Sequence, residues 1–294
     1  MTAARRLLLV DGTAVLYRAF FAIRELSTRA GKPTNAVFGF LRLIEQMRGR
    51  WNPTHWAVVF DGGLPAARLN RLPRYKAQRP PMPPGLKAQI PDAQDYLDCA
   101  GVPWLRIGGQ EADDLLATLT VQGVRGGDAE VLLATSDKDL YQLVGDAVTI
   151  VSVAGESVVM GVAEVVDKTG VRPDQIVDWL SLTGDASDNI PGVPGVGPKT
   201  AAKLLSEFGS LDELWGRLQD VRPERVARLL ADHRQDVERN RDVVRLDTGT
   251  DCRIDWNEWR VRHGDTRRLA SFYDRMEFRK LAENLRQPDL FETV

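Results

Sequence analysis

The sequence predicts an α/β protein with a mostly parallel central sheet flanked by helices, plus a helical region carrying a helix–hairpin–helix turn. Three observations predict it. Short apolar runs bounded by charge alternate with amphipathic helical patterns through the first half of the chain. Strand signals fade after about residue 160, while helical patterns continue. A glycine- and proline-rich turn at 190–200 separates two of those helices. The expected division is 1–183 for the α/β core and 184–294 for the helical region.

Residues 7–10 are all apolar and end at Asp11, as in a strand buried on both faces of a parallel sheet. Asn35 can cap a helix bearing Val37, Phe38, Leu41, Ile44 and Met47 on one side. Residues 56–60 form a second strand that ends at Asp61. Residues 62–91 break the pattern with seven prolines and six basic residues, and no acidic one. Proline at that density prevents a long helix, so an exposed loop or short-helix excursion is expected. Leu115, Leu116 and Leu119 give 111–122 a helical face, and 131–135 read as a third strand. Helices are expected over 174–183, 198–208, 211–219, 223–246 and 266–286. Strands alternating with helices imply right-handed crossovers in one sheet.

Composition narrows the function. Hydrophobic residues at 43% and charged residues at 27% are ordinary for a folded soluble chain. Only Cys99 and Cys252 are present, which excludes a disulfide framework and a thiolate metal site. Three scattered histidines cannot form a histidine-rich zinc centre. No apolar run reaches the ~18 residues of a membrane span. The apolar stretch before Asp11 is too short for a signal peptide. A cytoplasmic protein is expected, with no membrane partner. The net charge of −2 argues against nucleic acid only if the charges are evenly spread. They are not: 1–91 hold 15 basic and 4 acidic side chains, whereas 92–294 hold 24 and 37.

Ligands of open α/β sheets bind beyond the carboxyl ends of the strands. Asp11, Asp61 and Asp137 should therefore converge. Asp139 lies two residues past Asp137, Glu111, Asp113 and Asp114 start a helix, and Asp185 and Asp188 lie in Gly184-Asp-Ala-Ser-Asp-Asn189. Singly, each is explained as a turn former or a residue favoured at a helix N-terminus. Nine carboxylates in one cleft would repel each other unless cations neutralised them. Oxygen-only ligands select hard ions such as Mg²⁺ or Mn²⁺. Two such ions are the usual device for in-line phosphodiester hydrolysis. Val10-Asp11-Gly12-Thr13 also resembles a phosphatase strand end, but Leu9 occupies the nucleophile position there.

The turn reads Ile190-Pro-Gly-Val-Pro-Gly-Val-Gly-Pro-Lys-Thr200 and leads into a helix. Gly195 and Gly197 allow close backbone approach, Pro198 suits a first helical turn, and Lys199 is adjacent to free N–H groups. This is a helix–hairpin–helix pattern, which grips a duplex phosphate without reading bases.

Together these motifs resemble the bacterial 5′-nuclease family: the 5′–3′ exonuclease domain of DNA polymerase I and its free-standing flap-endonuclease relatives. The resemblance covers about 6–286 and rests on Asp11 with Leu16-Tyr-Arg-Ala-Phe-Phe-Ala22, Val58-Val-Phe-Asp61, Arg74-Tyr-Lys-Ala-Gln-Arg79, Glu111-Ala-Asp-Asp-Leu115, Thr135-Ser-Asp-Lys-Asp-Leu-Tyr-Gln-Leu143 and 182–197. It implies a PIN-like core with a two-metal centre. Asp11, Asp61, Glu111 and Asp113 match the first-metal positions, and Asp137 the shared one. Asp139, Asp185 and Asp188 match the second-metal side, with Asp114 supporting between them. Lys76 and Arg79 match basic residues that meet the scissile phosphate from an arch over 62–91. Tyr17 matches an aromatic position near the base beside the cleaved bond, and a partly buried core tyrosine explains it equally well. Tyr75, Lys87, Lys199 and Thr200 are further expected DNA contacts. Gly192, Val193, Gly195, Val196 and Gly197 match the backbone that binds K⁺ against a DNA phosphate. Residues 62–73 keep only part of the family pattern, and 80–85 are unusually proline-rich.

The resemblance implies metal-dependent hydrolysis of DNA, or RNA/DNA, at 5′ flaps, gaps, nicks or ends. Products would carry 5′-phosphate and 3′-hydroxyl, in primer removal and repair. A free-standing monomer is expected. A catalytically silent junction binder and a PIN-type ribonuclease are the rival readings. The first conflicts with the full set of carboxylates. The second lacks a counterpart to 184–210. Setting the nine carboxylates aside leaves 39 basic against 32 acidic side chains, so the near-neutral sum would hide a basic protein around an acidic cleft.

Overall fold

The computed structural model describes residues 5–286, apart from 126, 128 and 154–158. The chain runs β1 (Arg5–Asp11), α1 (Gly12–Ala22), α2 (Asn35–Trp51), β2 (His55–Phe60), α3 (Ala66–Arg71), α4 (Pro84–Lys87), α5 (Ile90–Ala100), β3 (Trp104–Arg106), α6 (Ala112–Val124), β4 (Ala129–Ala134), β5 (Val148–Val151) and β6 (Val159–Met160). Then come α7 (Val162–Thr169), α8 (Ile176–Thr183), a small antiparallel pair β7 (Gly184–Asp185) and β8 (Ile190–Pro191), α9 (Pro198–Phe208) and α10 (Leu211–Gly216). The chain continues through α11 (Glu224–Asp232), α12 (Arg234–Val244), α13 (Thr266–Arg275) and α14 (Arg279–Arg286). Among the described residues no helix is long and apolar enough to cross a membrane.

The main sheet has the order β3-β2-β1-β4-β5-β6. Its first five strands are parallel and β6 is antiparallel. Successive side chains of a strand point to opposite faces. Leu7 and Leu9 accordingly join a core with α6, α8, α9 and α12, while Leu8 and Val10 join a second core with α2, α5 and α13. Burial on both faces is why residues 7–10 and 56–60 read as unbroken apolar runs. The strand order reverses between β1 and β4, and a crevice opens there at the carboxyl ends.

Several expectations need correction. Asn35 is the first residue of α2, not its cap. Its amide nitrogen donates to the carbonyls of Phe20 and Ile23 at 3.1 and 3.3 Å. The buried Gln89 instead accepts from the N–H groups of Ala36 and Val37. The segment 62–91 is only partly exposed, because Arg68, Leu72, Tyr75, Leu86 and Gln89 are all buried. The single helix expected over 223–246 is two, α11 and α12, broken at His233. The helix expected over 266–286 breaks at Glu277, whose φ is 57°. That break lets both Met276 and Phe278 reach the core, which near neighbours on a straight helix cannot do. β3 and β5 carried no strand signal, being only 3 and 4 residues long.

Candidate active site

The site begins at the strand ends, whose carboxylates are tied to the backbone of nearby helical turns. Asp11 is both the last residue of β1 and the N-cap of α1, its Oδ1 accepting from Ala14 N–H at 2.9 Å. Asp61 follows β2, and its Oδ1 accepts from Ala112 N–H at 2.8 Å, at the start of α6. Its own N–H donates to Thr13 Oγ1 at 2.9 Å, which joins the two strand ends. Asp137 follows β4, and its Oδ1 accepts from Asp139 N–H at 2.9 Å. A helix N-terminus favours a carboxylate electrostatically, so the fold holds these groups in place before any cation arrives.

A second carboxylate group forms beside Asp137, outside the residues that line the cleft itself. Ligand oxygens of Asp139, Asp185 and Asp188 lie within 4.8 Å of one another. Asp185 Oδ1 accepts from Ser187 N–H and Oγ at 2.8 and 2.7 Å, and its Oδ2 meets Lys138 Nζ at 3.1 Å. Asp139 Oδ1 is buried with no hydrogen-bond partner. A bare buried carboxylate oxygen is costly unless a cation meets it. The donor set here is all oxygen, so these residues fit a hard divalent ion.

Protonation tells the same story. Burial, then the Asp61 carboxylate, pushes the Asp11 carboxyl up to about 7. Burial, then Asp137 and Asp11, raises Asp113 well above the usual range. Burial, then Asp137, Asp188 and Asp185, does the same to Asp139. Asp137 is raised, chiefly by burial. Asp185 goes the other way: burial pushes it up, but hydrogen bonds from Ser187 and Lys138 outweigh that. The cleft thus stores carboxyl groups that ionise readily only when positive charge is supplied.

Part of that charge comes from 62–91. Lys76 Nζ is ion-paired with Glu111 and lies 3.5 Å from Asp188, bridging the two carboxylate groups. Its backbone is left-handed, with φ of 55°, and its N–H donates to Asp188 O at 2.9 Å. Arg79 meets Asp188 Oδ1 at 2.5 Å. Lys76 is almost fully covered, at 8% side-chain exposure, while Arg79 is half exposed. The cleft they roof encloses about 960 Å³ and is walled also by Tyr17, Arg18 and Phe21.

Two expected site residues do other work. Asp114 does not face the cleft. Its oxygens accept from the Arg68 fork at 2.6 and 2.7 Å and from Asp247 N–H at 2.9 Å. Tyr75 has no free ring face for DNA: it is 4% exposed, and its hydroxyl donates to Glu111 at 3.1 Å. Sequence reasoning missed Arg68, which also reaches Glu111 Oε2 at 2.5 Å and the carbonyl of Val243 at 2.9 Å. It looked like one of six solvated basic residues, and only its distant partners reveal its role. Lys138 was likewise missed, although its place between Asp137 and Asp139 was a usable signal.

The turn at 192–200 connects β8 to α9. Val193 and Val196 are buried in the core, while Pro194, Gly195 and Gly197 beside them are exposed. Gly195 has φ of 79° and is exposed, which glycine alone adopts freely. Gly184 and Gly192 pack backbone to backbone: a Cβ on Gly192 would lie 2.2 Å from Thr183 O. Lys199 is exposed at the start of α9, and Thr200 is half-buried. Lys87 is exposed on α4.

Comparisons with known proteins place this arrangement. Residues 6–170 match the profile described as 5′–3′ exonuclease, N-terminal resolvase-like domain, and 171–267 match 5′–3′ exonuclease, C-terminal SAM fold. A 5′–3′ exonuclease of Aquifex aeolicus is 34% identical, over 96% of this chain and 95% of its own length. A thermostable DNA polymerase I of Thermus thermophilus is 38% identical over 94% of this chain, which spans 32% of that longer protein. The flap endonuclease of bacteriophage T5, solved with DNA and metal ions, shares the fold with a TM-score of 0.69. It is 23% identical and matches over 96% of this chain and 98% of its own.

Proposed function

The chain belongs to the 5′–3′ exonuclease family, and from that premise we propose that it cuts DNA, or RNA/DNA, at 5′ flaps, gaps, nicks and ends. The observation that carries this reading is the pair of neighbouring carboxylate groups, with Lys76 bridging Glu111 of one to Asp188 of the other and Asp139 Oδ1 bare. Asp11, Asp61, Glu111 and Asp113 would hold one divalent ion, Asp139, Asp185 and Asp188 a second, and Asp137 would be shared between them. Mg²⁺ or Mn²⁺ suits the oxygen-only donors. When bound, such ions supply charge that favours hydroxide formation from water and stabilises a departing 3′-oxygen.

The protein's own residues orient and exclude. Lys76 and Arg79 give up part of their hold on Glu111 and Asp188 and meet the scissile phosphate, offsetting charge on its oxygens. Arg68 and Tyr75 keep Glu111 aimed at the cleft. Residues 1–183 form the cutting centre. Residues 184–294 grip duplex through phosphates, with Lys199, Thr200 and a K⁺ ion on the backbone of 192–197. Tyr17 and Lys87 contact the strand, and the enzyme works as a cytoplasmic monomer on primer-removal and repair intermediates. Products bear 5′-phosphate and 3′-hydroxyl.

A labelled 5′-flap duplex tests this with and without Mg²⁺. Wild type should cut it near the junction only with the metal, and Asp137→Asn should be nearly inactive. An intact flap, or equal cutting by Asp137→Asn, would overturn the reading.

A further inference from the structure

Protein cations already sit on the Asp139, Asp185 and Asp188 group. Asp188 meets Arg79 and Lys76, both from the 62–91 stretch. Asp185 meets a different cation, Lys138, whose Nζ lies 3.1 Å from Oδ2. The other oxygen of Asp185, Oδ1, accepts from Ser187 N–H and Oγ, which occupies both its lone pairs. Oδ2 is therefore the oxygen left to meet an ion, and an ammonium covers it.

Lys138 opens the short turn Lys138–Leu143 that follows β4. Its side chain is 41% exposed, against 4% for Asp185. The carboxylate is thus fixed, and the cation reaches it from the solvent side on a flexible four-carbon stem. Ser136 and Asp137 line the cleft, and Lys138 does not. That placement sets it against the second carboxylate group and away from a strand lying in the cleft. Lys76 and Arg79 have a phosphate to turn to. At Asp185 the exchange is between ammonium and metal alone.

We propose that Lys138 is a tethered counter-ion, whose ammonium stands in for the second divalent ion on Asp185 in the metal-free protein and withdraws when that ion binds. This rests on the nuclease reading above, which gives Asp139, Asp185 and Asp188 to that ion. Buried carboxylates this close repel one another and need positive charge, and Lys138 supplies part of it at rest. An entering ion must break the ammonium's hold on Oδ2, so the lysine sets how much free metal the second position needs. Withdrawal is easy, because the head regains water while the stem stays on the surface. The competition is worth about five- to tenfold in ion affinity, because solvent screens a pair with one exposed partner. Lys138 touches neither substrate nor ion, so it is a positioning residue.

The test is a Mn²⁺ titration of DNA-free protein, with free ion counted by electron paramagnetic resonance. Wild type should show a tighter and a weaker site. Lys138→Met keeps the stem and removes the charge, and it should tighten the weaker site about five- to tenfold without moving the other. Lys138→Arg should behave as wild type. Metal-free Lys138→Met should also have a lower Tm. A merely structural lysine would lower Tm without tightening Mn²⁺. Where wild type binds one Mn²⁺ only, the second should appear in Lys138→Met. Should that variant aggregate, Lys138→Gln replaces it. A second site that is unchanged, weakened or still missing in Lys138→Met, or equally tightened in Lys138→Arg, overturns the Lys138 assignment alone, provided wild type cuts the flap. An intact flap with Mg²⁺ and no Mn²⁺ bound by wild type overturn the nuclease reading beneath it.

Discussion

Replacing Arg68 with alanine should destabilise the protein more than any single exposed charge change. Arg68 is 6% exposed, and its guanidinium makes contacts at 2.5 Å to Glu111, 2.6 and 2.7 Å to Asp114, and 2.9 Å to Val243 O. Without it, Glu111 keeps Lys76 and Tyr75, but Asp114 keeps only the Asp247 N–H. Breaking a buried ion pair by removing one partner costs about 3–5 kcal/mol. That is a large share of a typical stability of about 5–15 kcal/mol. Urea unfolding of metal-free protein at pH 7 measures the loss. Arg68→Lys should recover under half of it, because an ammonium cannot fork across Asp114. Asp114→Asn in the Arg68→Ala background should cost much less than in wild type, since the stranded charge is gone. Glu111 hangs on the same guanidinium, so the Mg²⁺ concentration for half-maximal cutting should also rise in Arg68→Lys. A loss below about 1 kcal/mol for Arg68→Ala, or strict additivity with Asp114→Asn, would refute the network as drawn.

The cleft carboxyls make a pH prediction with a definite sign. Asp11 titrates near 7 when folded, against 3.8 ordinarily, so between those values the folded state binds more protons than the unfolded one. Its contribution is fully present below 3.8 and is lost as pH rises through 7, so metal-free stability should fall across that window. Mg²⁺ must displace those protons, and the rise in Tm that it produces should be larger at pH 8 than at pH 5.5; an equal rise at both contradicts this. Charge reversal at Lys76 and Arg79 should slow flap cutting at least ~100-fold, while reversal at Arg225 and Arg228 leaves it within about threefold. Comparable losses from both pairs would count against the arch residues. Gly192→Ala places a methyl 2.2 Å from Thr183 O and should cost about 1–3 kcal/mol. Calorimetry should show Tm lowered by several degrees, and an unchanged Tm would contradict the close packing of Gly184 on Gly192.

The sequence by itself determined the features that local chemistry encodes. Residues 7–10 and 56–60 had to be doubly buried strands, because no amphipathic element reads as an unbroken apolar run. Acidic residues at strand ends had to gather at one sheet edge, because parallel strands share a direction. The helix at 198–208 announced itself through Pro198 and the glycines before it, and it forms over those residues. The tertiary structure alone decided which charges are solvated. Arg68, Arg71 and Arg74 look alike in sequence, yet Arg68 is buried because Val243 O, 175 positions away, and Asp114 complete its shell. The same holds for Tyr75, whose burial and bond to Glu111 turn it from an expected DNA contact into a support, and for the Arg68 fork that holds the supporting Asp114. It also holds for the cavity of about 250 Å³ beside Tyr17, whose walls come from four separate stretches of chain: 13–17, 60–61, 81–90 and Arg106. Periodicity and capping are properties of a few consecutive residues. The environment of a charge, or the shape of a void, depends on contacts between residues far apart in sequence, and those exist only once the layers have packed.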